Sequence, residues 1–299
     1  MRVFTTGATG FVGRAVVREL LAAGHGVVGL ARSDASAEAL ANAGAEVHRG
    51  SLEDPDGLRE AAAASDGVVH TAFHHDFSDF ENATAMDRRA IEAVGGALVG
   101  THRPLVIASG TGGITSGAVA TEDSVPDAGS PAAARFASEQ AALSFADRGV
   151  RASAVRLPPS VHGEGDHGFV PMLVEAARER GASAYPGDGS NRWPAVHRLD
   201  AAHLFRLALE SAPAGARLHA VAEEGVPVRD IAEAIGDHLR VPTTSIAADA
   251  AQDHFGFLGL ILCLDTPASS ARTHEQLGWQ PERAGLLADI EGYVGALTR

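Results

Sequence analysis

The chain has no lysine: all 24 of its basic residues are arginine. That removes Schiff-base chemistry, a phosphate-loop lysine and any lysine that tunes a neighbouring pKa. A single cysteine, Cys263, leaves no internal disulfide, and its place in the apolar run from Phe255 to Leu264 predicts a buried, inert thiol. Tyrosine is almost absent too, with Tyr185 and Tyr293 alone. The arginines form no run and the formal net charge is −14, which argues against a nucleic-acid partner, because phosphate contacts need clustered basic residues. No apolar stretch approaches the roughly 20 residues of a membrane span, and no basic, apolar leader precedes the first strand. A cytoplasmic, reducing setting without a membrane partner is therefore expected.

What is present is ordinary for a soluble domain: 299 residues, 45% hydrophobic and 21% charged, enough to bury a large core. The stretch Arg2-Val3-Phe4-Thr5-Thr6-Gly7-Ala8-Thr9-Gly10-Phe11-Val12-Gly13 reads as a short strand, a glycine turn and the start of an amphipathic helix. Gly7 allows the bend, Gly10 removes a Cβ where a ligand approaches, and Gly13 lets helix and strand close up. The first amides of such a helix lack partners and carry partial positive charge, which suits a pyrophosphate. Thr9, Phe11 and Val12 lie on the same turn.

Strands are predicted at Val3–Thr6, Val27–Ala31, Glu46–Arg49, Gly67–Ala72, Leu105–Ser109 and Ala152–Arg156. Helices are predicted between them at Arg14–Ala23, Ser36–Ala43, Asp56–Ala64, Ala83–Leu98 and Ala132–Arg148. This alternation predicts an α/β fold with a doubly wound parallel sheet, a Rossmann domain over residues 1–157. Past Arg156 the regularity is broken by Pro158, Pro159, Gly163, Gly165, Gly168 and Pro171. Residues 158–299 are therefore expected to form mainly a smaller mixed α/β substrate-binding cap, some segments of which return to the Rossmann core. Its helices are predicted at Phe169–Arg180, Asp200–Glu210 and Val228–His238, with a strand near Arg217–Val221.

Ligands of such a sheet belong at the carboxyl ends of the strands. After the second strand come Arg32 and Ser33, which favour the 2′-phosphate of NADP(H); Asp34, two residues on, keeps the alternative of NAD(H) open. Ser51 and Leu52 would lie beside the adenine, and Thr71, Ala72 and Phe73 along the diphosphate and ribose. His74, His75 and His162 follow strands and are the residues able to relay a proton near neutrality, with Asp76 placed to orient His75. A metal site from His74, His75 and Asp76 is not favoured, for want of a second spaced ligand cluster. In the cap, Tyr185, Asn191, Arg192, Trp193 and His197 gather around turns, where an aromatic and an arginine could hold a planar or anionic small-molecule substrate.

Four segments resemble the extended short-chain dehydrogenases/reductases, the NAD(P)-dependent epimerase/dehydratase-like group. They are Thr6 to Gly13, Asp66-Gly67-Val68-Val69-His70-Thr71-Ala72, Arg156-Leu157-Pro158-Pro159-Ser160-Val161-His162-Gly163 and Leu277-Gly278-Trp279-Gln280-Pro281. The resemblance implies an NAD(P) cofactor, with Pro158 and Val161 also near it, and reductase, epimerase or dehydratase chemistry. It puts Thr111, with Ser109 two residues before it, where a hydroxyl polarises the substrate carbonyl. Aligned on Glu139, it puts Pro131 where the family's acid/base tyrosine belongs and Arg135 where its lysine belongs. The chain thus resembles an atypical member lacking the Tyr-x-x-x-Lys pair. Arg135 can donate to ribose hydroxyls, but a guanidinium with a pKa above about 12 cannot shuttle a proton. The resemblance also admits a homodimer through the helices around Ala83–Leu98 and Ala132–Arg148. The leading expectation is an NADP(H)-dependent oxidoreductase acting on a small carbonyl or alcohol substrate. A non-catalytic NADP sensor or scaffold and a sugar-nucleotide epimerase or dehydratase are the alternatives.

Overall fold

The structure, a computed structural model, describes residues 1–74, 79–130 and 132–297. Its first segment, β1 (Arg2–Thr6), is β-branched and aromatic and is buried on both faces, as a central parallel strand must be. The elements then alternate through α1 (Phe11–Ala22), β2 (Gly26–Ala31), α2 (Asp34–Asn42), β3 (Glu46–Arg49), α3 (Pro55–Ala63), β4 (Gly67–His70), α4 (Phe80–Ala97), β5 (Pro104–Gly110), α5 (Ala133–Leu143) and β6 (Arg151–Leu157). Local chemistry sets several starts: Ser33 and Asp54 accept the Ser36 and Gly57 amides as N-caps of α2 and α3, and Pro55 opens α3.

All six predicted strands form. The helix predicted over Ala132–Arg148 ends at Leu143, followed by a separate 3₁₀ turn over Ala146–Arg148. Beyond β6 come β7 (Ser160–His162), α6 (Phe169–Arg180), β8 (Ser183–Pro186), β9 (Arg192–His197), α7 (Arg198–Ser211), β10 (Ala216–His219), β11 (Glu223–Pro227), α8 (Val228–Leu239) and β12 (Thr243–Ile246). Four short helices follow, α9 (Ala251–Phe255), α10 (Phe257–Leu262), α11 (Ala271–Leu277) and α12 (Leu286–Leu297).

The main sheet has seven parallel strands in the order β10-β6-β5-β4-β1-β2-β3. The order reverses between β1 and β4, which opens a crevice at their carboxyl ends. On one face α1 and α7 pack together through Val16, Val17 and Leu20 against Leu204, Phe205 and Ala208. Burying each large side chain there contributes on the order of 1.5–3 kcal/mol. On the other face Leu58, Ala61, Ile91, Val94, Leu98 and Phe145 of α3, α4 and the end of α5 cover the sheet. A separate core joins α6, α8, α10 and α12 around Trp193 and β9. Two small sheets, β11-β9-β7 and β12-β8, lie in this second part. Three of its segments go back to the main core: α7 packs on α1, β10 becomes the seventh strand, and Trp279 is buried in the first cluster.

Candidate active site

The glycine turn has the shape the spacing predicts. Gly7 sits at φ +65°, and a Cβ there would meet the Ala72 amide nitrogen at 2.5 Å; a Cβ on Gly13 would lie 1.9 Å from the Gly7 carbonyl oxygen. The Gly10 amide donates to that same carbonyl at 2.9 Å. Gly10 also N-caps α1 without a side-chain acceptor, and no acidic residue occupies the first turn. The first amides of α1, beside Thr9, Phe11 and Val12, are therefore left to an outside anion, and the turn fits a diphosphate.

At the end of β2, Arg32 is exposed and has no ion pair among the described residues. Ser33 is engaged as the cap of α2, and Asp34 is held by Arg49 at 2.6 Å. Ser51 is half-buried and accepts the Glu53 amide, while Leu52 packs against the α3–α4 side of the main sheet.

At the end of β4 the Thr71 hydroxyl donates to the Thr6 carbonyl at 2.8 Å, pinning this strand end to the turn. A buried chain of polar contacts starts beside it. The Thr6 hydroxyl meets His70 Nδ1 at 2.8 Å, His70 Nε2 meets Asp87 Oδ1 at 3.1 Å, and Arg135 Nη1 donates to Asp87 Oδ2 at 2.8 Å. Because the carboxylate can only accept, the His70 proton is assigned to Nε2, and Nδ1 accepts from Thr6. Burial alone would raise the Asp87 carboxyl, but the His70 hydrogen bond and the Arg135 charge hold it below its ordinary value. Arg135 also donates through Nη2 to the Ala108 carbonyl at 3.0 Å and lies 4.1 Å above the Phe73 ring. Neither His70 nor Asp87 was singled out as a site residue from the sequence. The available signal was Asp87 itself, a carboxylate on the stripe that Ala83, Ala90, Ile91 and Val94 bury on α4.

Past the end of β5, Thr111 is 1% exposed and its hydroxyl has no hydrogen-bond partner in the described structure. Its backbone is fixed by donation to the Leu157 carbonyl at 2.9 Å. Ser109 bonds to Glu139, which takes Arg156 through Nε at 2.9 Å and Nη2 at 2.7 Å. Ser109 is thus tied into a buried ionic network, and the hydroxyl left open is that of Thr111. Pro131, at the tyrosine position, and His75 with Asp76 lie outside the described residues; His74 is exposed.

Pro158 and Val161 follow β6 as expected, the first buried and the second half-buried against the main core. The other cap residues are differently employed. His162 is buried, with Nδ1 on Asp289 at 2.5 Å and Nε2 unpartnered. Arg192 is spent on Asp265 through two side-chain bonds of 3.0 and 2.9 Å, because the carboxylate also accepts the Arg192 amide and is fixed in front of the guanidinium. Trp193 is fully buried in the second core, a packing anchor. Tyr185 is half-buried, with the Arg229 guanidinium 5.5 Å from its ring. Tyr293 accepts the Gly163 amide at 3.0 Å and bonds to Asp166, and burial together with the Asp166 charge pushes its pKa well above the ordinary tyrosine value. The expectation of a buried Cys263 is corrected: α10 buries Leu258, Gly259 and Leu262, which leaves the thiol exposed at its end.

A doubly wound parallel sheet with a glycine cradle at its switch point defines a Rossmann-type protein. The chain belongs to the NAD dependent epimerase/dehydratase family, whose model matches residues 3–221. It is 50% identical to an uncharacterized protein, C2A9.02, of Schizosaccharomyces pombe over 97% of this chain and 98% of that one. It is 34% identical to the 2-alkyl-3-oxoalkanoate reductase of Stenotrophomonas maltophilia over 72% of this chain and 67% of that one. Among solved structures, DesIV, a dTDP-glucose 4,6-dehydratase of Streptomyces venezuelae crystallised with NAD and TYD, superposes with a TM-score of 0.80 at 20% identity, covering 99% of this chain and 96% of that one.

Proposed function

We propose that the chain is an NADP(H)-dependent oxidoreductase that interconverts a small carbonyl compound and its alcohol. The observation that carries the reading is the Thr111 hydroxyl, buried and unpartnered at the carboxyl end of the central sheet. Leaving a buried hydroxyl unbonded costs about 1–3 kcal/mol, a cost repaid when it donates to a substrate carbonyl. The reductase relative from Stenotrophomonas supports carbonyl chemistry. Preference for the phosphorylated cofactor rests on the end of β2, where the exposed Arg32 has no ion pair among the described residues and the solvent-exposed Asp34 is turned to Arg49. When bound, the nicotinamide ring supplies or takes up the hydride.

The protein's own groups divide the remaining work. The turn at Gly7–Gly13 and Thr71 hold the dinucleotide backbone, Arg135 is fixed by Asp87 and Ala108 with further N–H groups able to reach a ribose, and Thr111 draws charge from the reacting oxygen. With no lysine and with Tyr293 held between Gly163 and Asp166, the proton comes from water or from a histidine of the segment that follows β4.

The test is nicotinamide absorbance with a panel of aldehydes, ketones and alcohols. Thr111→Val should lower turnover about 10²–10³-fold while leaving cofactor affinity unchanged. Arg32→Ala should erase the preference for NADPH over NADH. Absence of turnover by wild type with firm cofactor binding would favour a sensor or scaffold, the reading to which the missing acid/base tyrosine points.

A further inference from the structure

Three described arginines that enter the interior are each anchored by two or more hydrogen bonds of 3.0 Å or less. Arg156 has Glu139 and two carbonyls, Arg151 has the carbonyls that end α7, and Arg135 has Asp87 and Ala108. Arg198, the first residue of α7, is different. Its side chain is only 13% exposed, its Nε is buried without a partner, and Nη2 comes no nearer than 3.9 Å to Glu164, a carboxylate 98% exposed. A contact of that length to a fully solvated carboxylate offsets little.

The neighbouring carboxylates are committed elsewhere. Asp200, two residues on, accepts the Glu282 and Arg283 amides at 3.1 and 3.0 Å, and Asp166 accepts the Gly168 amide at 2.7 Å and bonds to Tyr293. Arg14 and Arg18, on α1, add repulsion to the burial that already works against the Arg198 charge. The guanidinium carbon lies 5.3 Å from the ring centroid of Phe11, the first residue of α1, and the opposing contact to that ring is His167 at 5.9 Å. A poorly compensated cation is therefore held against the helix turn whose own amides lack an acceptor. Positive potential here comes from two independent sources, and among the described residues the carboxylate that meets it is the solvated Glu164 at 3.9 Å.

The geometry points to Arg198 as a second arm on the diphosphate of the bound dinucleotide, reaching from α7 to the anion that the first turn of α1 cradles. This rests on the nicotinamide reading above and extends it to a residue outside the glycine turn. It also assigns Arg198 a cost in the free protein. Removing the uncompensated charge should relieve the unliganded fold while harming the liganded one.

Calorimetric titration of NADPH, NADH and ADP-ribose into wild-type protein, R198Q and R198K, with thermal unfolding of each unliganded protein, tests the assignment. All three ligands carry the diphosphate and only NADPH carries the 2′-phosphate. R198Q should bind each of them about tenfold more weakly, the loss expected for one hydrogen bond to a charged group, and R198K should recover part of it. Unliganded R198Q should unfold at the wild-type temperature or above it. As a control, R178Q, which removes a surface partner of Glu175 on α6, should bind as wild type does. Unchanged affinity in R198Q, a loss confined to NADPH, or an R198Q protein that is less stable than wild type without ligand would each overturn the inference and leave the oxidoreductase reading standing. Wild-type protein that takes up none of the three ligands would overturn both.

Discussion

Two ionic networks grow from successive turns of α5, one at Arg135 and one at Glu139, and they are finished differently. Glu139 is 1% exposed and takes both prongs of Arg156, then Arg217 from β10 at 2.8 Å, and also Ser109. Arg156 in turn donates to the Ser124 carbonyl at 3.0 Å and lies 3.3 Å from His219 Nε2. Both oxygens of Glu139 and all three nitrogens of Arg156 have partners, so the cluster knits α5, β6 and β10 together. Arg135, at 21% exposure, uses one nitrogen on Asp87 and one on a carbonyl, with Phe73 beneath its plane, and has no second carboxylate among the described residues. A saturated network is architecture. One that stops short of saturation at the mouth of a cleft is where a ligand completes the bonding.

The largest expected effect comes from breaking the closed network. Glu139→Ala leaves Arg156 and Arg217 without their carboxylate and should cost about 3–5 kcal/mol, read as a lower urea midpoint. Asp87→Asn on the open side should cost less, about 1–3 kcal/mol, because Arg135 keeps the Ala108 carbonyl and some water. It should also weaken cofactor binding, which Glu139→Ala should not do in the fraction that remains folded. Equal effects of the two substitutions on affinity would erase the distinction drawn between the networks.

Acid separates them less. For both carboxyls burial acts to raise the pKa, yet the arginine and histidine contacts win and the folded values lie below the ordinary ones. A depressed carboxyl contributes stability that is fully present above its unfolded pKa, near 4, and is lost as pH falls through the lower folded value. Urea midpoints should therefore hold above about pH 5 and decline below about pH 4, and Glu139→Ala and Asp87→Asn should each flatten that decline. The smallest stability effect is expected for Thr111→Val. Its hydroxyl has no bond to lose and its burial is unrepaid in the free protein, so the urea midpoint should lie at or above the wild-type value even as turnover collapses.

The first half of the fold was legible because its signals are local. Gly7, Gly10 and Gly13 encode the turn, alternating β-branched and helical runs encode the strand–helix rhythm, and Ser33, Asp54 and Pro55 mark helix starts. The cap residues read less well. Arg192 and Trp193 look like substrate contacts in one dimension and become a latch to Asp265 and a core anchor once a segment more than 70 residues away is folded against them. Cys263 looks buried in its apolar run, but a six-residue helix turns only some of those side chains inward.

The sequence alone determined the class of fold, the place of the glycine turn, and the absence of the lysine and of a tyrosine at the expected spacing, since each is a matter of which residues occur and how far apart. Only the tertiary structure decided which charges are spent and which are left over. Asp87, Glu139, Asp265 and Asp289 sit 48, 17, 73 and 127 residues from the arginines or histidine they engage. Pairing over such distances is set by how the sheet and its helices stack, and a side chain's solvation, hence its availability to a ligand, exists only after that stacking is complete.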